Sequence, residues 1–202
     1  DRLLLIHYYH QATKPFQTLS ALPEHKAIEL MTQMGKQTGE VYRRFKHPQK
    51  YLRHRRSTET WLRQEFIKKG GQPILPYPKY FSVGPALWIK EGYNEQSKTV
   101  QLPLSSVAAD QISFTYPDSM VSYWLRTQTD KAFYQPAYHG KVFTLSEILE
   151  CVERFGMPGE AWRTDPTRQH DIFIEAQLWI DIPSISARLE KPTTFVESDV
   201  HQ

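Results

Sequence analysis

Residues 172–180 alternate between apolar side chains and larger or polar ones, which restricts this part of the chain to a β-strand with one buried face. The apolar face consists of Ile172, Ile174, Ala176, Leu178 and Ile180. The other face consists of Phe173, Glu175, Gln177 and Trp179. A bare carboxylate is costly to bury without water or a partner. Glu175 is therefore expected either on an open sheet face or in a cleft.

Strand and helix signals along the rest of the chain predict an α+β domain. Strands are predicted at residues 3–10, 80–89, 99–104 and 111–116, and helices at 19–39, from Ser57 or Thr58 to Gly70, and from Thr144, with a capping box, to Gly156. Residues 117–141 are expected to be irregular. This order predicts a single α+β domain over residues 1–190, with a mainly antiparallel or mixed sheet, N-terminal helices and one late helix. Residues 191–202 are predicted to be a loosely ordered tail.

The composition excludes several classes of protein. Cys151 is the only cysteine, so an internal disulfide and a cysteine-based zinc site are excluded, and a cytoplasmic compartment is expected. No apolar run approaches the roughly 20 residues that cross a bilayer, and the first residues become polar too quickly for a signal peptide, so no membrane contact is expected. The sequence has no phosphate loop, dinucleotide glycine fingerprint, zinc motif or nucleophile elbow, and no metal site is predicted.

Three short motifs carry the remaining candidates for chemistry. The first strand ends in Tyr9-His10 with Thr13 nearby, a middle strand carries Tyr80-Phe81, and the last strand carries Glu175. Together they resemble the ADP-ribosyltransferase-like fold, and among its members the RNA 2′-phosphotransferases and the DNA-modifying ADP-ribosyltransferase toxins. The family places Ser or Thr two residues after its histidine, whereas Thr13 follows His10 by three. The spacing therefore leaves open whether His7 or His10 is the counterpart.

The resemblance implies a transferase that uses NAD for ADP-ribosyl transfer, or for related phosphate chemistry, on a nucleic-acid or protein acceptor. It implies that Glu175 stabilises the sugar cation, that His10 binds the adenosine ribose and that Tyr80 stacks on nicotinamide. His10, Thr13, Tyr80 and Phe81 would bind NAD. An arginine or lysine would neutralise the pyrophosphate, with Arg2 and Arg63 as candidates.

The charge of the chain is unevenly distributed, which suggests a second hypothesis. Residues 36–69 carry a net charge of +8, while the whole chain carries only +3. Cations and aromatic side chains interleave there, a combination that suits a phosphate backbone with bases stacked nearby. This hypothesis makes the segment 43–69 a nucleic-acid-binding surface, which is either the whole, non-enzymatic function or brings substrate to the Glu175 cleft. Its named residues are Arg43, Arg44, Lys46, Arg53, Arg55 and Arg56.

A third hypothesis is an interaction domain that binds a protein partner through an aromatic surface. Aromatic side chains are frequent anchors of protein interfaces, and they also fill small cores. The candidates are residues 113–120 and Tyr123, Trp124, Phe133, Tyr134 and Tyr138.

Overall fold

The computed structural model describes residues 3–182. Five strands in that range form one antiparallel sheet, in the order β3-β1-β2-β5-β4. The strands are β1 (Leu4–His10), β2 (Lys79–Val83), β3 (Ser97–Pro103), β4 (Ile112–Thr115) and β5 (Glu175–Leu178). The α+β class, the single domain and the mainly antiparallel sheet predicted from the sequence are confirmed. The tail predicted at 191–202 lies outside the described residues.

Five α-helices accompany the sheet in the described part of the chain, joined by short 3-10 turns. They are α1 (Glu24–Met34), α2 (Pro48–Lys68), α3 (Leu87–Gly92), α4 (Ser119–Leu125) and α5 (Leu145–Phe155). The capping box is confirmed: the Thr144 side chain accepts the Glu147 N–H, and the Glu147 carboxylate accepts the Thr144 N–H at 2.8 Å. The helix predicted at 19–39 is shorter, because only Glu24–Met34 is α-helical.

The helix α2 begins earlier than predicted, at Pro48 and not at Ser57 or Thr58. Pro48 is the first residue of the helix, a position where its missing N–H costs nothing. Ser57 and Thr58 consequently lie inside the helix and cap nothing. The Thr58 hydroxyl donates to the His54 carbonyl one turn earlier instead, at 3.0 Å.

Two further segments were predicted incorrectly. The strand predicted at 80–89 ends at Val83, because Gly84 adopts a φ of +73° and turns the chain into α3. Residues 117–141 contain α4, whose N-cap is Asp118. The Asp118 carboxylate accepts the N–H groups of Met120 and Val121, which is the ordinary chemistry of a helix N-terminus.

The central strands are covered on both faces. Ile174, Ala176 and Leu178 belong to a core that α5 covers, as the alternation predicts. The opposite face is also buried, since Trp179 stacks on Phe66 of α2 with ring centroids 6.5 Å apart. Glu175 therefore does not lie on an open sheet face.

The register of the sheet brings the three motifs together. Ser82 of β2 pairs with Ile6 of β1 on one side and with Glu175 of β5 on the other. Tyr80 pairs with Gln177. Segments that are far apart in the sequence thus become adjacent strands in the middle of the sheet, beneath α2.

Candidate active site

A cavity of about 180 Å³ lies over the central strands, with walls from β1, β2, β5, α2 and α3 and from the loop after β1. All five residues predicted for catalysis or NAD binding line it: His10, Thr13, Tyr80, Phe81 and Glu175. The His10 imidazole, the Tyr80 phenol and the Glu175 carboxylate come from three separate strands and are all among its lining residues.

Glu175 stands at the beginning of β5 and is half-buried. Its Oε1 accepts the Ser119 N–H at 3.2 Å and the Gln177 Nε2–H at 3.1 Å. Burial, and then the neighbouring Asp118 carboxylate, raise the pKa of Glu175 to about 7, while the Ser119 N–H and the Arg55 charge oppose the rise. Near neutral pH this carboxyl group therefore exists in both protonation states.

Asp118 forms a pair of acids with Glu175. It precedes α4, and its Oδ1 accepts two first-turn N–H groups at 3.1 and 3.2 Å. Burial raises the pKa of Asp118, and those N–H groups with the charges of Arg44 and Arg55 lower it. The sequence places Asp118 only in the candidate protein-binding segment 113–120 and does not connect it with Glu175.

The Tyr80 hydroxyl is committed to an internal partner. It donates to Glu59 Oε1 at 2.8 Å, and burial raises the pKa of Tyr80 well above its ordinary value. The Arg55 guanidinium lies 4.3 Å from the Tyr80 ring centroid and covers that side of the ring. Tyr80 is thus a neutral, fixed wall of the cavity and not a base.

Two further functional candidates are Arg55 and Glu59. The sequence hypotheses assign Arg55 to a nucleic-acid-binding surface and give Glu59 no role. Arg55 Nε lies 3.3 Å from Glu59 Oε1, and Arg55 Nη1 donates to the Tyr51 hydroxyl at 2.9 Å. The Glu59 side chain is 1% exposed. A signal was present in the sequence, since Leu52, Arg55, Glu59, Leu62 and Phe66 follow one another at alternating spacings of three and four, which is the buried stripe of a helix.

The structure separates the roles of the two histidines. Both ring nitrogens of His7 bind backbone: Nδ1 donates to the Tyr80 carbonyl at 2.8 Å and Nε2 accepts the Phe16 N–H at 2.9 Å. Burial lowers the pKa of His7, so this ring is neutral and structural. His10 Nδ1 accepts the Ala12 N–H, but its Nε2 contacts the exposed side chain of Gln96. A ligand hydroxyl can replace that amide, which favours His10 as the ligand-binding histidine.

The six residues predicted to bind nucleic acid do not form one surface. Arg43, Arg44, Lys46 and Arg53 are exposed. Arg43 pairs with Glu40 at 3.0 Å, and Arg56 pairs with Glu24 at 3.2 Å. Arg55 faces the cavity, and Arg44 both lines the cavity and reaches solvent.

The other sequence candidates lie away from the cavity. Arg63 donates to the Pro73 carbonyl at 3.2 Å and does not line it, while Arg2 is outside the described residues. Of the aromatic residues proposed as a protein-binding surface, Phe114, Tyr116 and Tyr138 lie in the core. Trp124 is 39% exposed. The aromatic enrichment of this part of the chain therefore serves packing to a large extent.

Comparison of the chain with known protein families, with curated proteins and with solved structures gives no match. Within residues 3–182, no cluster of three or more His, Cys, Asp or Glu side chains could hold a metal ion. In the same range no helix combines the length and apolarity needed to cross a membrane. The geometry of the cavity is therefore the basis for any functional conclusion.

Proposed function

We propose that the protein is an NAD-dependent ADP-ribosyltransferase in which Glu175 is the catalytic carboxylate. The observation that carries the proposal is the shared cavity of His10, Tyr80 and Glu175, which come from three distant segments of the chain. A half-buried carboxyl group whose pKa is raised to about 7, in a cleft, is typical of a catalytic residue.

The charges of the cavity suit an anionic ligand such as NAD. Four cations line it, Lys14, Arg44, Arg55 and Lys79, whereas Glu175 is the only carboxylate among the described lining residues. Arginine and lysine side chains neutralise pyrophosphate well. Arg44 and Arg55 thus replace Arg2 and Arg63 as the candidates for that role.

The size of the cavity sets how NAD would lie. Its volume of about 180 Å³ is below the roughly 300–1,000 Å³ usual for drug-sized ligands. One end of the dinucleotide would therefore occupy the cavity, and the other end would follow the open mouth. The nicotinamide end belongs inside, because Glu175 must lie close to the ribose carbon that reacts.

Bound NAD would supply a ribose carbon whose bond to nicotinamide breaks with both electrons leaving on nicotinamide, while an acceptor nitrogen or oxygen bonds to that carbon and loses its proton. The ionised Glu175 carboxylate stabilises the positive charge that develops on the sugar. His10 Nε2–H binds a ribose hydroxyl in place of the Gln96 amide. Tyr80, held by Glu59 and Arg55, forms a rigid wall beside the nicotinamide.

The test is transfer of label from adenine-labelled NAD to single-stranded DNA, RNA and protein acceptors, together with release of free ADP-ribose. We expect the wild-type protein to catalyse transfer or NAD cleavage, and Glu175→Gln to reduce the rate about 100-fold or more. Glu150→Gln is the matched control, because Glu150 is exposed on α5. The proposal is wrong if the wild-type protein neither binds nor cleaves NAD, or if Glu175→Gln retains the full rate.

A second candidate function, nucleic-acid binding, is favoured by one specific observation. Lys46, Lys50 and Arg53 are exposed: Lys46 ends the 3-10 helix just before α2, and Lys50 and Arg53, three residues apart, share one side of its first turns. None of the three has an ion-pair partner among residues 3–182. Exposed cations in a row suit a phosphate backbone, and Arg44 connects this row to the cavity.

A further inference from the structure

Three polar side chains, one on β4, one on β5 and one directly after β5, lie behind Glu175 in a position that no solvent reaches. Ser113, Gln177 and Trp179 are each 0% exposed. Buried polar groups require partners. Here each one binds the next, so that a chain of hydrogen bonds leads from the indole of Trp179 to the carboxylate of Glu175.

The chemistry of the groups gives this chain a single direction. An indole N–H can only donate, so Ser113 Oγ must accept the bond from Trp179 Nε1 at 2.9 Å. The one hydroxyl proton of Ser113 is then donated to Gln177 Oε1, also at 2.9 Å. The amide of Gln177 is thereby oriented, and its Nε2–H groups point to Glu175 Oε1 and Thr115 Oγ1, each at 3.1 Å.

The opposite orientation of the Gln177 amide would be unfavourable where the amide meets Glu175. It would place Gln177 Oε1 against Glu175 Oε1, and two acceptors would meet without a proton between them whenever Glu175 is ionised. The Ser113 proton would at the same time lose its acceptor in a buried place. Trp179 and Ser113 therefore determine which group faces the carboxylate.

The internal hydrogen bonds distinguish the two carboxylate oxygens of Glu175. Oε1 accepts both the Gln177 amide and the Ser119 N–H. Oε2 has no hydrogen-bond partner among the described residues, although Glu175 lines the cavity. Oε1 is thus the anchoring oxygen, and Oε2 is the oxygen that remains for a ligand.

We propose that Gln177 is a positioning residue: its amide, oriented by Ser113 and Trp179, holds Glu175 through Oε1 so that Oε2 faces the reacting atoms. The catalytic part of this inference rests on the proposed function. The charged and titratable groups that also face Glu175 are Asp118 before α4, Arg55 on α2 and Tyr80 on β2. Any measured change in the titration of Glu175 must be compared with their effects.

Two variants test the inference at different distances from Glu175. Gln177→Met keeps the length of the side chain and removes the amide. Trp179→Phe removes the donor at the far end together with part of a buried ring. Trp61→Phe is its control, because it makes the same change on α2, in the same hydrophobic cluster but outside the chain of hydrogen bonds. The first measurement is the titration of the Glu175 carboxyl carbon by NMR, which needs no activity.

We expect Gln177→Met to raise the titration midpoint of Glu175 by about one pH unit, because a hydrogen bond to the ionised form is lost. Trp179→Phe should shift the midpoint in the same direction by less, and the two effects should not add, since both act through the amide. In transfer assays kcat should fall about 10-fold in Gln177→Met with KM nearly unchanged. Trp61→Phe should change neither quantity.

An unchanged midpoint in Gln177→Met, or additive effects of the two substitutions, would overturn the inference whether or not the protein is active. If Gln177→Met does not fold, the shift in Trp179→Phe relative to Trp61→Phe decides the question. If the midpoints move as expected but the wild-type protein transfers no ADP-ribose, the positioning of Glu175 stands and the proposed function fails.

Discussion

The buried position of the Glu175 carboxyl group lowers the stability of the folded protein. Its pKa rises from 4.5 in the unfolded chain to about 7 in the folded protein, chiefly because burial disfavours the charge. Between those values the folded protein binds more protons than the unfolded chain, so the contribution of this group to stability falls as pH rises through that range. A residue kept at such a cost is better explained by function than by packing.

Replacing the carboxyl group should therefore stabilise the protein at high pH. The glutamine of Glu175→Gln can still accept the Ser119 N–H but cannot ionise. We expect a free energy of unfolding about 3 kcal/mol above that of the wild type at pH 8, since each pKa unit corresponds to about 1.4 kcal/mol, and almost no difference at pH 4.5. Urea unfolding at both pH values measures it. A variant that is less stable at pH 8 than the wild type would contradict the raised pKa.

Asp118 should control the pH at which the site becomes ionised. Its carboxylate raises the pKa of Glu175, so Asp118→Asn should lower that pKa. The asparagine can still cap α4. If transfer requires ionised Glu175, the rise of kcat/KM with pH should occur near pH 7 in the wild type and at lower pH in the variant. The exposed Asp130→Asn is the control, and an unshifted profile in Asp118→Asn would refute the role.

At the scale of elements, some features of the helices and strands could be predicted from the sequence and others could not. The capping box of α5 depends on residues three apart, so local chemistry was sufficient to predict it. The strands of the three motifs were also predictable from alternation. The burial of Arg55 and Glu59 follows the spacing of the apolar stripe of α2, but their contacts with each other and with the Tyr80 hydroxyl depend on the packing of α2 on β2 and could not be predicted.

The same limit applies to the cavity itself. Residue types in β1, β2 and β5 suggested a common site, but their adjacency depends on long-range strand pairing. Asp118 illustrates the consequence: nothing near it in the sequence links it to Glu175, and the link arises only when β4 pairs with β5 and brings the start of α4 to the Glu175 carboxylate.

Arg55 and Glu59 form a polar pair within the buried stripe of α2. Removing both should leave a stable protein that is inactive. Glu59→Met leaves Arg55 without its ion-pair partner, and we expect a loss of about 3 kcal/mol. The double variant Arg55→Met with Glu59→Met completes an apolar stripe and should recover much of that loss. Both should be inactive, because Tyr80 loses its anchor. Urea unfolding measures the cycle, and a double variant less stable than Glu59→Met would disprove the reasoning.

At the scale of the whole molecule, folding places carboxylates next to many of the cations of residues 36–69. Several cations of residues 36–69 are paired with carboxylates: Arg43 with Glu40, Arg55 with Glu59, Arg56 with Glu24, Lys68 with Glu65 and Lys69 with Glu147. Glu40, Glu59 and Glu65 are already counted in the net charge of +8, whereas Glu24 and Glu147 come from outside residues 36–69 and reduce the positive surface further. The exposed cations without an ion pair among residues 3–182 include the short row at the start of α2, close in sequence to Arg44 of the cavity wall.

Removing this row should weaken nucleic-acid binding in a salt-dependent manner. For single-stranded DNA, each lost phosphate contact reduces the slope of log K against log salt by about 0.7, so the triple variant Lys46→Ala, Lys50→Ala, Arg53→Ala should reduce it by about 2. The control is Lys68→Ala, Lys69→Ala, Lys131→Ala, which removes the same charge from cations that pair with carboxylates. Fluorescence anisotropy from 50 to 200 mM salt (roughly the range in which such slopes are measured) provides the comparison. Equal losses in both variants would show that DNA binding depends on net charge alone, and the row at the start of α2 would then not be a binding site.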